Sequence, residues 1–176
     1  TANDVLKELG KNRRKNTISI PIGGGKNFPS TIATLEKNLC DAYHITTARA
    51  AHLAQSYGTR AHDVLEYCLA TKGDAAIAPN CAYSTAEIAF LAEHEHVSTL
   101  SDVVMRRTNL AITGQISDDL ISLICDAMTT ITNWSEAQKL DEKQTLVQDL
   151  QNFHGVSTEM LKARNKHTQQ FPTEDT

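Results

Sequence analysis

From Ser30 onward, apolar residues recur every three or four positions, in runs separated by Gly, Pro, Asn, Ser and Thr. That spacing predicts amphipathic helices with short polar corners. Ser30 or Thr31 caps the first, which carries Ile32, Leu35, Leu39, Ala42 and Tyr43. Thr46 caps the second, with Ala50, Leu53, Ala54 and Tyr57 inward, and Gly58 ends it where a left-handed residue is favoured. Thr59 restarts a helix with Ala61, Val64, Leu65, Cys68 and Leu69 inward. Lys72 to Tyr83 reads as a loop around Pro79 and Asn80. Further on, Ser117 caps a strong helix with Leu120, Ile121, Ile124, Ala127, Met128 and Ile131 on one side. Trp134 and Ser135 make a break, and a last helix runs from about Glu136 to Phe153 with Leu140, Val147, Leu150 and Phe153 inward.

Between these lies Ser84 to Ala111, which predicts two helices joined at a tight polar corner. Ser84 and Glu87 have capping-box spacing, and projection at about 100° per residue puts Ile88, Leu91 and Ala92 on one face with Glu95 at its centre. Thr99 and Asp102 repeat the cap-plus-acid spacing for a second helix that buries Leu100, Val103, Val104 and Ala111, with Arg107 in the middle of that face. A carboxylate and a guanidinium on the core side are too costly to leave apart, so a buried Glu95–Arg107 ion pair is expected. Arg106 falls on the opposite side, four residues after Asp102, and is freer to touch something else.

No run alternates with period two for long, apart from the connector Thr17 to Ile22. The expected class is all-α: a compact multi-helix domain of about six helices preceded by an extended connector. Residues 1–9 read as the end of a helix closed by Gly10, 10–29 as the connector, 30–155 as the helical domain, and 156–176 as a frayed or disordered tail. A start at Thr1, directly in the last turns of a helix, suggests a fragment cut from something longer.

Composition narrows the chemistry. A formal charge of −4 over 176 residues argues against a surface built to grip phosphates, and the one basic run, Lys11 to Lys15, is short. No apolar run approaches the roughly 20 residues that cross a bilayer, and no signal peptide is evident, which reads as cytoplasmic. Cys40, Cys68, Cys81 and Cys125 lie far apart and form no metal-ligand spacing, so reduced thiols in or near the core are expected. His94 and His96 are two apart on a helix and point about 200° from each other, so they do not make a zinc pair. The Gly23-Gly24-Gly25 turn has neither GxGxxG nor GxxxxGK[ST] around it and reads as a loop needing positive φ. Thr46 to Ala70, two helices around a glycine turn, outlines a helix-turn-helix. Against that alternative, a DNA-binding or protein-interaction module, His62, Asp63 and Glu66 follow Arg60 where basic side chains should stand. On residues alone this is a helical domain without a complete active site.

Taken in order, Leu53-x3-Tyr57-Gly58-x-Arg60-Ala61, Ala86-Glu87-Ile88, His94-Glu95, Asp102 and Arg106-Arg107-Thr108 resemble the C-terminal helical domain of the FAD-dependent glycerol-3-phosphate dehydrogenases. The resemblance runs from about Ile20 to Phe153. Thr1 to Leu9 looks like the last helix of that family's flavin-carrying part, and PIGGG with Phe28-Pro29 like its connector. Val104 departs from the family's leucine in D-x-L-x-RRT, and the calcium-binding extension of mitochondrial members is missing, which favours a bacterial type.

The resemblance implies a parent enzyme that oxidises sn-glycerol 3-phosphate to dihydroxyacetone phosphate, passing electrons through FAD to quinone. Such a parent sits peripherally at the inner face of the cytoplasmic membrane. It implies that the flavin and the catalytic residues lie outside this chain, which by itself is expected to be inactive and without FAD or metal. Its partners are then the missing N-terminal FAD domain, and through the parent the membrane surface and quinone, with homo-oligomers possible and nucleic acid excluded. Arg106 and Arg60 become candidates for contact with the catalytic domain, and Glu95 with Arg107 a structural ion pair. Whether the parent is a dehydrogenase or an oxidase stays open, because that depends on access to the flavin.

Overall fold

A computed structural model describes residues 2–11 and 20–165, which divide into two compact units, one ending at His62 and one beginning at Asp63. The division falls within a helix. Among the described residues every regular element is helical, and β-pairing is limited to one isolated bridge between Ala76 and Ser84.

The first unit contains α1 (Ala2–Glu8), α2 (Ile32–Tyr43), α3 (Thr47–Tyr57) and a 3-10 turn at Gly58–Arg60 that leads into α4 (Ala61–Ala70). Thr31 and Thr46 accept the third-residue amides of α2 and α3, satisfying donors that a helix start leaves without partners. Leu35 and Leu39 of α2 meet Ala50, Leu53 and Ala54 of α3, all buried. The first turn of α4 is tied back to α2 by a 3.0 Å hydrogen bond between the Tyr43 hydroxyl and His62 Nδ1.

The connector is a folded turn more than an extended strand. Gly25 N donates to Ile22 O at 2.9 Å, and Gly24, at φ +78°, lies directly against the end of α3. A Cβ on Gly24 would stand 2.4 Å from the Tyr57 carbonyl oxygen, and one on Gly58 would stand 2.3 Å from the Gly24 oxygen. Gly58 itself takes φ 57°, ψ −136°, a region open only to glycine. The two backbones are locked by Thr59, whose N–H donates to Gly24 O and whose hydroxyl donates to Lys26 O, both at 2.9 Å.

In the second unit, α5 (Thr85–His94) packs against α7 (Asp118–Thr132), which in turn meets α8 (Glu136–His154) and α9 (Thr158–Asn165). Ala86 to Leu91 of α5 are buried without interruption, the mark of a helix surrounded by others. Loop residues Ala75 and Ile77 pair with Thr85 and Tyr83, and Asp74 accepts the Ala86 amide at 2.8 Å and the Thr85 hydroxyl at 3.1 Å. The loop 74–83 thus supplies an acidic cap to α5 in addition to Ser84.

Several expectations change. In place of about six helices, nine α-helical elements occur among the described residues. Thr158–Asn165 is not a frayed tail: Leu161 is completely buried, and Arg164 Nη1 donates to Ile116 O at 3.1 Å. Residues 166–176, Lys15 with most of the basic run, and 17–19 of the connector lie outside the described residues. Leu69, Leu140 and Phe153, expected inward, are exposed, and on α8 the buried positions are Leu146 and Leu150. Cys68 and Cys125 are buried, and all four cysteines are free. Burial pushes the Cys125 thiol up, keeping it neutral.

Candidate functional site

Of the residues singled out by sequence, Glu95, Arg106 and Arg107 lie at the corner between α5 and the segment after it, and Arg60 does not. Helix α5 stops at His94, and Glu95 becomes its cap residue, with φ −114° and its N–H on Leu91 O at 3.1 Å. His96 then takes φ +54°, turning the chain sharply. Thr99 caps the next helix, α6 (Leu100–Asp102), by accepting the Asp102 amide at 3.1 Å.

The predicted long helix through Ala111 does not form. After Asp102 the backbone widens into a π-helical turn over Val103–Arg107, closed by Thr108 N donating to Val103 O at 2.9 Å. The Thr108 hydroxyl donates to the same oxygen at 2.9 Å, so one carbonyl takes two donors and the segment ends there. The chain then turns through residues 109–114, where Leu110 is fully buried in the place expected for Ala111. The Tyr83 hydroxyl fixes this turn by accepting the Asn109 amide at 3.2 Å and donating to its side-chain oxygen at 3.4 Å.

The π-turn breaks the 100° register and carries Arg107 out of the core. Arg107 still reaches Glu95: Nη1 donates to Oε2 at 3.1 Å and Nη2 to the Glu95 carbonyl at 2.9 Å. Its side chain is 44% exposed against 15% for Glu95, so the pair is a surface clamp across the end of α5 and not a buried ion pair. The second bond places a cation on the carbonyl end of α5, where the helix dipole favours it.

Arg106 points the other way and is 75% exposed, with Nη1 2.6 Å from Asp102 Oδ1. Partial burial raises the Asp102 carboxyl, but the Thr99 hydroxyl, the Ser98 amide and Arg106 together outweigh it and hold the group below its ordinary range. Arg60 closes the 3-10 turn in the first unit and is half-buried, its side chain passing close to Gly23.

The carboxylate that sequence reading underestimated is Glu87. Assigned a capping role, it is wholly buried, and among the described residues it is the one charged side chain so enclosed. The signal was present: Glu87 stands one turn before Leu91 and therefore on its face.

A second grouping, unpredicted, lies on α4 and α5. The Tyr67 hydroxyl donates to Glu93 at 2.8 Å, and its ring meets Phe90 and His94 edge-on, at 5.5 Å and 5.6 Å. Burial first, then the Glu93 contact, pushes the Tyr67 phenol up to about 12. This is a structural staple with the proton fixed on oxygen.

The site contains no nucleophile paired with a base, and no group of three metal-ligating side chains occurs among the described residues. At the triple-glycine turn, the space beside the Gly24 Cα holds the carbonyl of Tyr57, with Gly58 next to it. No described helix is long and apolar enough to cross a membrane.

Comparison with known proteins gives this helical unit its relatives. A family model described as the C-terminal domain of alpha-glycerophosphate oxidase matches residues 15–139. The mitochondrial glycerol-3-phosphate dehydrogenase of Rattus norvegicus is 28% identical over 135 residues, covering 73% of this chain and 18% of that protein. The glycerol-3-phosphate dehydrogenase of Synechocystis sp. is 29% identical over 142 residues, covering 76% of this chain and 25% of that protein. The human mitochondrial protein is 25% identical over 135 residues. The chain thus spans a quarter or less of the length of these relatives.

Proposed function

Because the chain belongs to the family of C-terminal domains of alpha-glycerophosphate oxidase, we propose that it is the non-catalytic cap of an FAD-dependent glycerol-3-phosphate dehydrogenase. The match across residues 15–139 carries this reading, since it spans α2 to α7 and the corner described above. The parent would oxidise sn-glycerol 3-phosphate to dihydroxyacetone phosphate and pass electrons by way of FAD to quinone at the inner membrane face. Flavin and reacting groups then belong to the remainder of the polypeptide, and no chemical step is assigned to a residue of this chain.

Within that reading, residues 1–9 end the flavin-carrying part, 10–29 connect, and 30–155 form the cap. Arg106 and Arg60 pair with acidic groups of the flavin domain or line the approach of an anionic substrate. Exposure supports Arg106 in this role, because its one described partner is an i,i+4 carboxylate worth only a few tenths of a kcal/mol. Glu95 and Arg107 serve the cap's own structure.

The test uses the full-length enzyme. It should be yellow, oxidise sn-glycerol 3-phosphate with a quinone acceptor, and contain a GxGxxG unit upstream of this domain. A colourless protein without that unit refutes the reading, and rapid oxygen consumption would make it an oxidase. The 176-residue chain alone should bind no FAD. Arg106→Ala in the full-length enzyme should raise KM or lower the thermal midpoint, and no change in either removes Arg106 from the interface.

A further inference from the structure

The inner face of α8 carries acids where a packed helix ordinarily carries apolar residues. Leu146 and Leu150 are buried there, and Glu142 and Asp149, seven residues apart and so two turns along the same side, are partly buried beside them. Both acids reach one short segment, α6, against which α8 packs. Glu142 accepts the Leu100 amide at 2.8 Å, and Asp149 accepts the Ser101 hydroxyl at 3.1 Å. From these contacts we propose that Glu142 and Asp149 are positioning residues for Arg106, holding the segment that carries it in one register. The proposal rests on the reading of Arg106 as a contact with the flavin domain or with an anionic substrate.

Three observations carry it. Helix α6 is three residues long and runs directly into the π-turn Val103–Arg107, so it has too few backbone bonds to fix itself. Burial of Leu100, Val103 and Val104 decides which side faces the core, but apolar contact is non-directional and does not choose between neighbouring registers. The bond from Leu100 to Glu142 is directional and fixes where the first turn begins.

A second register lies within reach. The Thr108 amide closes the π-turn on Val103 O, yet the Thr108 hydroxyl is also 3.4 Å from Val104 O, the carbonyl that a regular α-turn would offer that amide. A slip to that register rotates Arg106 and Arg107 about the helix axis, so the arginines keep their places only while the start of the segment is held.

The connection to Arg106 is continuous. Thr99, next to Leu100, accepts the Asp102 amide at 3.1 Å, and the Asp102 carboxylate accepts the Ser98 amide at 3.4 Å and Arg106 Nη1 at 2.6 Å. The acids of α8 therefore hold the base on which the guanidinium stands. Both lie beyond residue 139, where the family match ends, so this anchor is outside the segment by which the family is identified.

Hydrogen–deuterium exchange and kinetics on the full-length protein test this. In the double variant Glu142→Ala with Asp149→Ala, amides of residues 100–108 should exchange at least about tenfold faster, while those of 86–91, in the buried part of α5, stay as they are. Unchanged exchange at 100–108, or an equal rise in both segments, overturns the proposal. Ser101→Ala removes the Asp149 contact without touching α8 and should speed exchange at 100–108 about threefold; no change there counts equally against it. In the double variant the KM for sn-glycerol 3-phosphate should rise about threefold or more at constant kcat and flavin absorbance, and adding the same two substitutions to Arg106→Ala should raise it no further. An unmoved KM, or an equal further rise in the Arg106→Ala background, also overturns the proposal, because the acids would then act without Arg106. A yellow, active protein with unchanged exchange removes the positioning role alone. A colourless one removes the flavin enzyme, and exchange at 100–108 still decides whether the acids hold the segment.

Discussion

Helices α5 and α8 belong to one unit and are held in it by different forces. Helix α5 has ten residues, six of them buried in succession, whereas α8 has nineteen, of which only Leu146 and Leu150 are buried. What α8 offers its neighbours is mostly polar. Glu142 accepts the Leu100 amide at the start of α6 at 2.8 Å, and Asp149 accepts the Ser101 hydroxyl at 3.1 Å. Lys139 reaches Asp126 of α7 at 2.7 Å and Glu136 at 3.1 Å, contacts that raise its pKa above the ordinary lysine value. Helix length and anchoring are therefore separate quantities: α5 is fixed mainly by apolar burial, with Glu87 the one acid enclosed among its buried residues, and α8 in large part by surface carboxylates.

Truncation should expose that contrast most strongly at α5. Ile88→Ala removes a fully buried side chain and should cost about 2–5 kcal/mol in urea unfolding, and a loss below about 1 kcal/mol would place the core elsewhere. On the α8 side, Glu142→Gln should cost about 1–2 kcal/mol through the weakened bond to the α6 amide.

Acid sharpens the same division at α6. Folding depresses the Asp102 carboxyl below its reference value of 3.8, so its stabilisation is complete above that value and is lost as pH falls through the folded pKa. Asp102→Asn should therefore be less stable than the unmodified protein at pH 7, and the two should converge as pH falls from 3.8 through the folded pKa. A constant difference across that range would assign the effect to packing. Glu95→Gln, at a half-exposed clamp, should cost about 1 kcal/mol in thermal unfolding, not the 3–5 kcal/mol of a buried pair. Smallest of all, Leu140→Ala on the exposed side of α8 should stay within about 0.5 kcal/mol.

What could be read from sequence was chiefly where helices begin. Thr31, Thr46, Ser84, Thr99 and Ser117 cap the helices that the sequence assigned to them, because a side-chain oxygen before an apolar run has one local use. The ends and faces were less legible. Arg107 was projected into the core because a fixed 100° step cannot register a π-turn. Glu87 was read as a cap because a helix enclosed on all sides has no polar face to contradict the assignment. Helix α9 was missed because so short a segment contributes one deep anchor, Leu161, and otherwise looks like polar tail. The Glu95–Arg107 contact was anticipated as a pairing but not in its setting.

The contact between Gly24 and Gly58 makes two distant positions a single heritable unit. A side chain on Gly58 would need the volume of the Gly24 backbone, one on Gly24 would need that of the adjoining Tyr57 carbonyl, and both hold backbone angles disfavoured for other residues. A saturation library of the first unit should return glycine at both positions, and replacing one should not rescue replacement of the other. Two features that look like separate punctuation in the sequence, a flexible triplet and a helix stop, are one joint, and the chain can drift around it but not through it.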